Sequence, residues 1–76
     1  MIIFVHDVPR WIQVAEELRK RISDGTYAPG TRVPSVIQLG AEFGIAQATG
    51  QKVLRALRAE GLIYTIPGLG SFVSED

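Results

Sequence analysis

The chain has 76 residues, 46% of them hydrophobic and 21% charged, with eight basic side chains balancing eight acidic ones. That length holds one modest core, and the composition is globular rather than disordered. With no cysteine there is no disulfide staple and no thiolate metal site. Zero net charge argues against strong nonspecific binding to nucleic acid, so any such role must come from the distribution of charge.

Residues 1–8 read as an N-terminal extension and residues 9–76 as the globular unit. Ile2 to Val5 is a short apolar, β-prone run, a possible strand with no obvious partner and the one candidate for self-association. It is too short for a signal peptide or a membrane span, and no basic region precedes it. The expectation is a cytoplasmic chain with no membrane partner. Asp7 and Pro9 mark a helix entry, as a capping acid followed by a first-turn proline. Trp11, Val14, Ala15, Leu18 and Ile22 then recur at steps of three and four, predicting a helix over 9–23 with one apolar stripe. Glu16 and Lys20 stand at the acid-first i,i+4 spacing of a helical ion pair. Ser23-Asp24-Gly25 ends the helix. The loop contains a Pro29-Gly30 turn, Thr31 to Val33 has the makings of a very short strand, and Pro34 leads into the next element.

From Ser35 to Gly61 the pattern is two helices joined by a tight turn. Ser35 and Gln38 have the spacing of a reciprocal capping box. Val36, Leu39 and Phe43, with Ala41 filling in, predict a helix over 35–43 that stops at Gly44. Ile45 is placed to plug the angle of the turn. Thr49, Val53, Leu54 and Leu57 predict the apolar face of a helix over 46–60, ended by Gly61. Its outward positions are Gln47, Gln51, Lys52, Arg55 and Arg58. From Gly44 to Ala59 every charged residue is basic. A short helix, a glycine-bearing turn and a second helix with an amide-rich basic face form a helix-turn-helix, and DNA binding is its first reading. After Gly61 the period changes to that of strands. Leu62 to Ile66 and Ser71 to Ser74 flank Pro67-Gly68-Leu69-Gly70, predicting a hairpin over about 62–74. The expected fold is mainly α with a small β hairpin, a winged helix-turn-helix of three helices plus wing.

The chain resembles the N-terminal DNA-binding domain of the GntR family of bacterial transcription regulators, from Pro9 to Val73. The resemblance rests on WIQVAEELRKRISDGTYAPGTRVPS, LGAEFGI, ALRAEGLI and GLGSFV in that order. It implies a homodimeric repressor or activator whose second helix-turn-helix helix reads the major groove of double-stranded DNA while the wing tip enters the minor groove. The DNA-binding residues it implies are Ser35, Gln47, Ala48, Thr49, Gln51, Lys52 and Arg55, with Gly68, Leu69 and Gly70 at the wing. The family usually carries an arginine where Ile37 stands and opens its recognition helix Val-Ser-Arg-Thr-Thr-Val-Arg. Here that stretch is Ile45-Ala46-Gln47-Ala48-Thr49-Gly50-Gln51, with both arginines replaced by glutamines. Glutamine pairs with adenine where arginine favours guanine. Ala46 in place of a capping serine costs about 1 kcal/mol, and Gly50 inside a helix costs roughly another 1 kcal/mol.

Trp11, Leu18, Leu39, Phe43, Leu54, Leu57 and Phe72 read as core. Gln47 and Gln51 have a plainer reading as a solvated face, Arg58 as a surface charge, and Gly68 and Gly70 as turn residues whatever the function. His6 stands alone and reads as a surface residue. One histidine without cysteine assembles no catalytic constellation, so no enzyme, metal or cofactor is expected. The alternative to DNA binding is a winged helix used as a protein-interaction module. The effector-binding and dimerisation domain that the family usually carries after the wing is not present in this chain, which spans either a fragment of a longer regulator or a stand-alone version.

Overall fold

The computed structural model describes residues 4–75. The order is α1 (Arg10–Ser23), α2 (Val36–Phe43), α3 (Gln47–Ala59), β1 (Ile63–Ile66) and β2 (Gly70–Val73). Each predicted helix and the hairpin are present, with ends shifted by one residue or so.

The helix ends follow local chemistry. At α2 the Ser35 hydroxyl accepts from the Gln38 amide at 3.2 Å, and the Gln38 side chain accepts from the Ser35 amide at 2.8 Å. This is the complete capping box. Gly44 closes α2 in the left-handed region at φ 67°, which a β-carbon would disfavour. The start of α1 differs from expectation. Pro9 occupies the cap position, no side chain caps the helix, and Asp7 plays no part. Gln13 instead lies on the buried face of α1 and clasps the chain before it. Its amide accepts from the Val5 N–H at 2.8 Å and donates to the carbonyls of Val5 and Val8 at 3.0 and 2.8 Å. Of the strand considered over Ile2 to Val5, Ile2 and Ile3 lie outside the described residues, while Phe4 and Val5 form no strand.

Helices α1 and α2 both pack on α3. Val14, Ala15 and Leu18 of α1, Leu39 and Phe43 of α2, and Val53, Leu54 and Leu57 of α3 are buried together with Ile45, Val33, Ile63 and Val73. Ile45 does fill the turn. Trp11 and Phe72, read as core, are only half-buried; Phe72 stacks on Tyr64 across the hairpin at 5.8 Å. Two further positions differ from the sequence reading. Ala41 is exposed, and Gly50, not Thr49, is the buried residue of the first turn of α3. A β-carbon on Gly50 would meet Cγ1 of Val36 at 3.3 Å. The glycine therefore lets α2 and α3 approach closely, which gives a packing reason for its propensity cost.

Two struts join the elements. Arg19 of α1 holds Glu60 through two hydrogen bonds, at 2.7 and 2.8 Å. Arg21 binds Glu17 at 3.1 Å, Glu42 at 2.6 Å and the Tyr27 hydroxyl at 2.7 Å. The i,i+4 pair on α1 is thus Glu17–Arg21 and not Glu16–Lys20, which are both exposed, and Arg21 also reaches Glu42 near the C-terminal end of α2. β1 and β2 pair antiparallel with Ile63 opposite Val73 and Ile66 opposite Gly70. The Thr31 to Val33 stretch lies along the outer edge of β2 as a strap: Val33 N–H donates to Ser71 and Val73 N–H to Thr31, both at 2.9 Å, with an isolated bridge between Arg32 and Phe72. Among the described residues no helix is long and apolar enough to cross a membrane.

Candidate nucleic-acid interface

The exposed side of α3 carries Gln47, Ala48, Gln51, Lys52, Arg55 and Arg58. All the outward positions expected from sequence are therefore free of the core. Thr49 is half-buried on the flank of the helix. Ala46 gives α3 no side-chain cap, and the first turn holds no acid. The amides of that turn and the positive end of the helix dipole consequently face outward unscreened. Ser35 is occupied as an acceptor in its capping box, but its hydroxyl proton is still available to donate.

The cations are arranged by their neighbours. The Lys52 ammonium lies 5.0 Å from the centre of the Trp11 ring, which steers this flexible side chain along the flank of α3. The Trp11–Lys52 and Arg19–Glu60 contacts share one sequence offset, so α1 and α3 run side by side in the same direction. Arg58 donates to the Thr65 hydroxyl at 2.9 Å, and Thr65 in turn shares a 2.8 Å hydrogen bond with the Ser71 hydroxyl. This chain links the far end of α3 to both strands of the hairpin.

At the wing tip, Leu69 N–H donates to the Ile66 carbonyl at 3.0 Å, with Pro67 and Gly68 between them. Gly68 has φ 81°, the value a type II turn requires at its third residue. Leu69 projects from this turn, 57% exposed. Gly70 has φ 121°, and a β-carbon there would come within 2.7 Å of Nε of Arg32. The Arg32 guanidinium therefore lies against the base of the wing, over Gly70.

The structure thus brings Gln47, Ala48, Gln51, Lys52 and Arg55 onto one surface, with Gly68, Leu69 and Gly70 on a hairpin that Arg58 ties to the same helix. Two cations have roles that the sequence does not display. Arg58 stands on the outward face of α3 as the spacing predicts, but its tether to Thr65 is set by the hairpin. Arg32 had no periodicity to mark it, because its place is set by the strap's pairing with β2. Among the described residues no three acids or histidines come together as a metal site.

Comparison with known proteins follows the same boundaries. The profile of the family described as bacterial regulatory proteins, gntR family, matches residues 12–73. The histidine utilization repressor of Klebsiella aerogenes is 36% identical over 67 residues, which are 88% of this chain and 28% of that protein. The HTH-type transcriptional repressor NagR of Bacillus subtilis (strain 168) is 35% identical over 68 residues, 90% of this chain and 28% of that protein. The chain thus spans little more than a quarter of either relative. Among solved structures, a GntR family transcriptional regulator from Listeria monocytogenes superposes with a TM-score of 0.92 at 29% identity, covering 96% of this chain and 64% of that one. The AraR DNA-binding domain in complex with operator ORX1 gives 0.90 at 29% identity, covering 97% of this chain and 95% of that one. With the family profile running from the first turn of α1 to the end of β2, the chain belongs to the gntR family of bacterial regulatory proteins.

Proposed function

We propose that this chain is the DNA-binding domain of a transcription repressor, taking double-stranded DNA with α3 in the major groove and the hairpin tip in the minor groove. The observation that carries the reading is the one-sided surface of α3, where amides are followed by three cations and a wing is fixed beside them. In support, a likeness with a TM-score of 0.90 links the chain to a domain solved on its operator. In this reading Gln47, Ala48 and Gln51 face base edges. Lys52, Arg55, Thr49 and Ser35 meet phosphates, and Gly68, Leu69 and Gly70 touch the minor groove. The described residues hold one recognition helix, so two copies are needed for a pair of half-sites one turn of B-DNA apart. The homodimer belongs to this proposal.

The test is binding of random-sequence and selected duplexes, read by fluorescence anisotropy against salt. Per chain, the two phosphate-facing cations Lys52 and Arg55 predict a log–log slope of about −2. Lys52→Ala is expected to weaken all sequences alike and lower the slope by about 1. Gln47→Arg or Gln51→Arg is expected to move the selected base at one position from adenine toward guanine. Salt-independent or absent binding would leave the protein-interaction module as the better reading.

A further inference from the structure

We infer that Ile37 is a specificity-determining residue, which reads the C5 methyl group of a thymine in the major groove. The inference rests on the DNA-binding reading and goes beyond it in assigning an apolar contact to α2.

Ile37 is 72% exposed, the most exposed of the large hydrophobic side chains among the described residues. It lies in the first turn of α2, next to Val36, whose side chain faces Gly50 across the helix–helix contact. That contact places the start of α2 beside the turn of α3 that bears Gln47 and Gln51. The neighbouring surface is uncharged. Between Pro34 and Gln51 the single charged residue is Glu42, and its carboxylate is bound by Arg21 at 2.6 Å. Gln38 is held in the capping box, and Ala41 and Ala48 are exposed. Cationic side chains therefore begin only at Lys52, and beside the Ser35 and Thr49 hydroxyls the tip of the helix-turn-helix presents amides and methyl groups.

This combination matches one kind of base pair. An A·T pair shows the N7 acceptor and N6 donor that a glutamine amide can grip, and on the partner base a methyl group in the same groove. A G·C pair offers no methyl and would leave Ile37 facing polar edges. An isoleucine beside two glutamines thus selects the thymine of a pair, or of a step, whose adenine a glutamine holds.

The experiment selects a duplex from a randomised library with the 76-residue chain at low salt. That duplex is then resynthesised with each thymine replaced singly by uracil, which removes only the methyl. At one thymine the parent is expected to bind about fourfold more weakly after replacement, the equivalent of one buried methyl. Ile37→Ala is expected to bind thymine and uracil duplexes equally, while Ile37→Val keeps most of the difference. Because the side chain is exposed, both variants are expected to melt with the parent. A parent indifferent to every replacement, or an Ile37→Ala variant that keeps the full methyl effect, overturns the inference while DNA binding stands. No duplex enriched and no salt-dependent binding overturns the DNA-binding reading and this inference with it.

Discussion

A methyl group built on Gly40 would sit 3.1 Å from the carbonyl oxygen of Ile45, whereas one on Gly50 would sit 3.3 Å from Cγ1 of Val36. The two neighbours differ in what they can yield. A valine methyl can give by a few tenths of an ångström through small torsional shifts, but the Ile45 carbonyl belongs to the turn that sets the angle between α2 and α3. Alanine gains about 1 kcal/mol of helix propensity over glycine at either site. Gly50→Ala is therefore expected to leave stability within about 0.5 kcal/mol of the parent, the crowding offsetting the gain. Gly40→Ala is expected to lose about 1–2 kcal/mol despite the same gain. Urea unfolding of the two variants, compared at equal m-value, separates them. Gln13 makes a related point about side chains. Its amide takes the place of a strand partner for Val5, and nothing in the spacing of polar residues on α1 distinguishes it from a solvated glutamine.

Beyond the core that Ile63 and Val73 share with α3, the wing is tied to that helix by hydrogen bonds through one hydroxyl. Thr65 accepts from Arg58 and shares a hydrogen bond with Ser71, which is buried. Thr65→Val removes both links and leaves the Ser71 hydroxyl without a partner, so a loss of about 1–2 kcal/mol is expected. Arg58→Ala leaves the Thr65–Ser71 bond in place and is expected to cost under about 0.5 kcal/mol. Thermal unfolding with hydrogen exchange of the β1 and β2 amides would check both. The three helices and the hairpin were legible because their signals are local: Ser35 and Gln38 cap, Gly44 stops, and Leu54 and Leu57 repeat. The amide face of α3 was legible for the same reason. What escaped was set by distant chain. Gly50 is small because Val36 faces it, and Arg32 is aimed by its pairing with Phe72. The Asp7 cap failed because Pro9 takes the cap position itself, leaving no side chain to receive the first amides.

The whole molecule is braced by ion pairs at the ends of its helices. The Arg19 hydrogen bond holds the Glu60 carboxyl below its ordinary value, and Thr26 does the same for Asp24. A depressed carboxylate contributes stability that is present above its unfolded pKa and lost as pH falls through its folded one. The window is therefore acidic, below about pH 4.5. Arg19 and Glu60 are each more than a third exposed, so solvent screening limits the pair to about 0.5 kcal/mol. Arg19→Ala is expected to lower the melting temperature at neutral pH by a few degrees and to remove part of its fall in acid. A parallel fall in both proteins would dismiss the strut as a source of stability.

The strap finds its backbone partners in a strand at the opposite end of the chain. Gly30 donates to Val73, Val73 to Thr31, and Val33 to Ser71. During synthesis, all three helices emerge from the ribosome before β2 does, so the loop between α1 and α2 must wait unfastened. Val33 meanwhile lacks Val73, with which it shares the core. Closing this long loop is the step that topology makes slow. Nascent chains carried on a C-terminal linker and halted with only the residues up to Gly61 emerged are expected to be cut by trypsin at Arg32, and chains halted with Ser74 emerged to resist it. Birth of the final strand, rather than of the last helix, is then the moment at which the domain becomes proof against proteases.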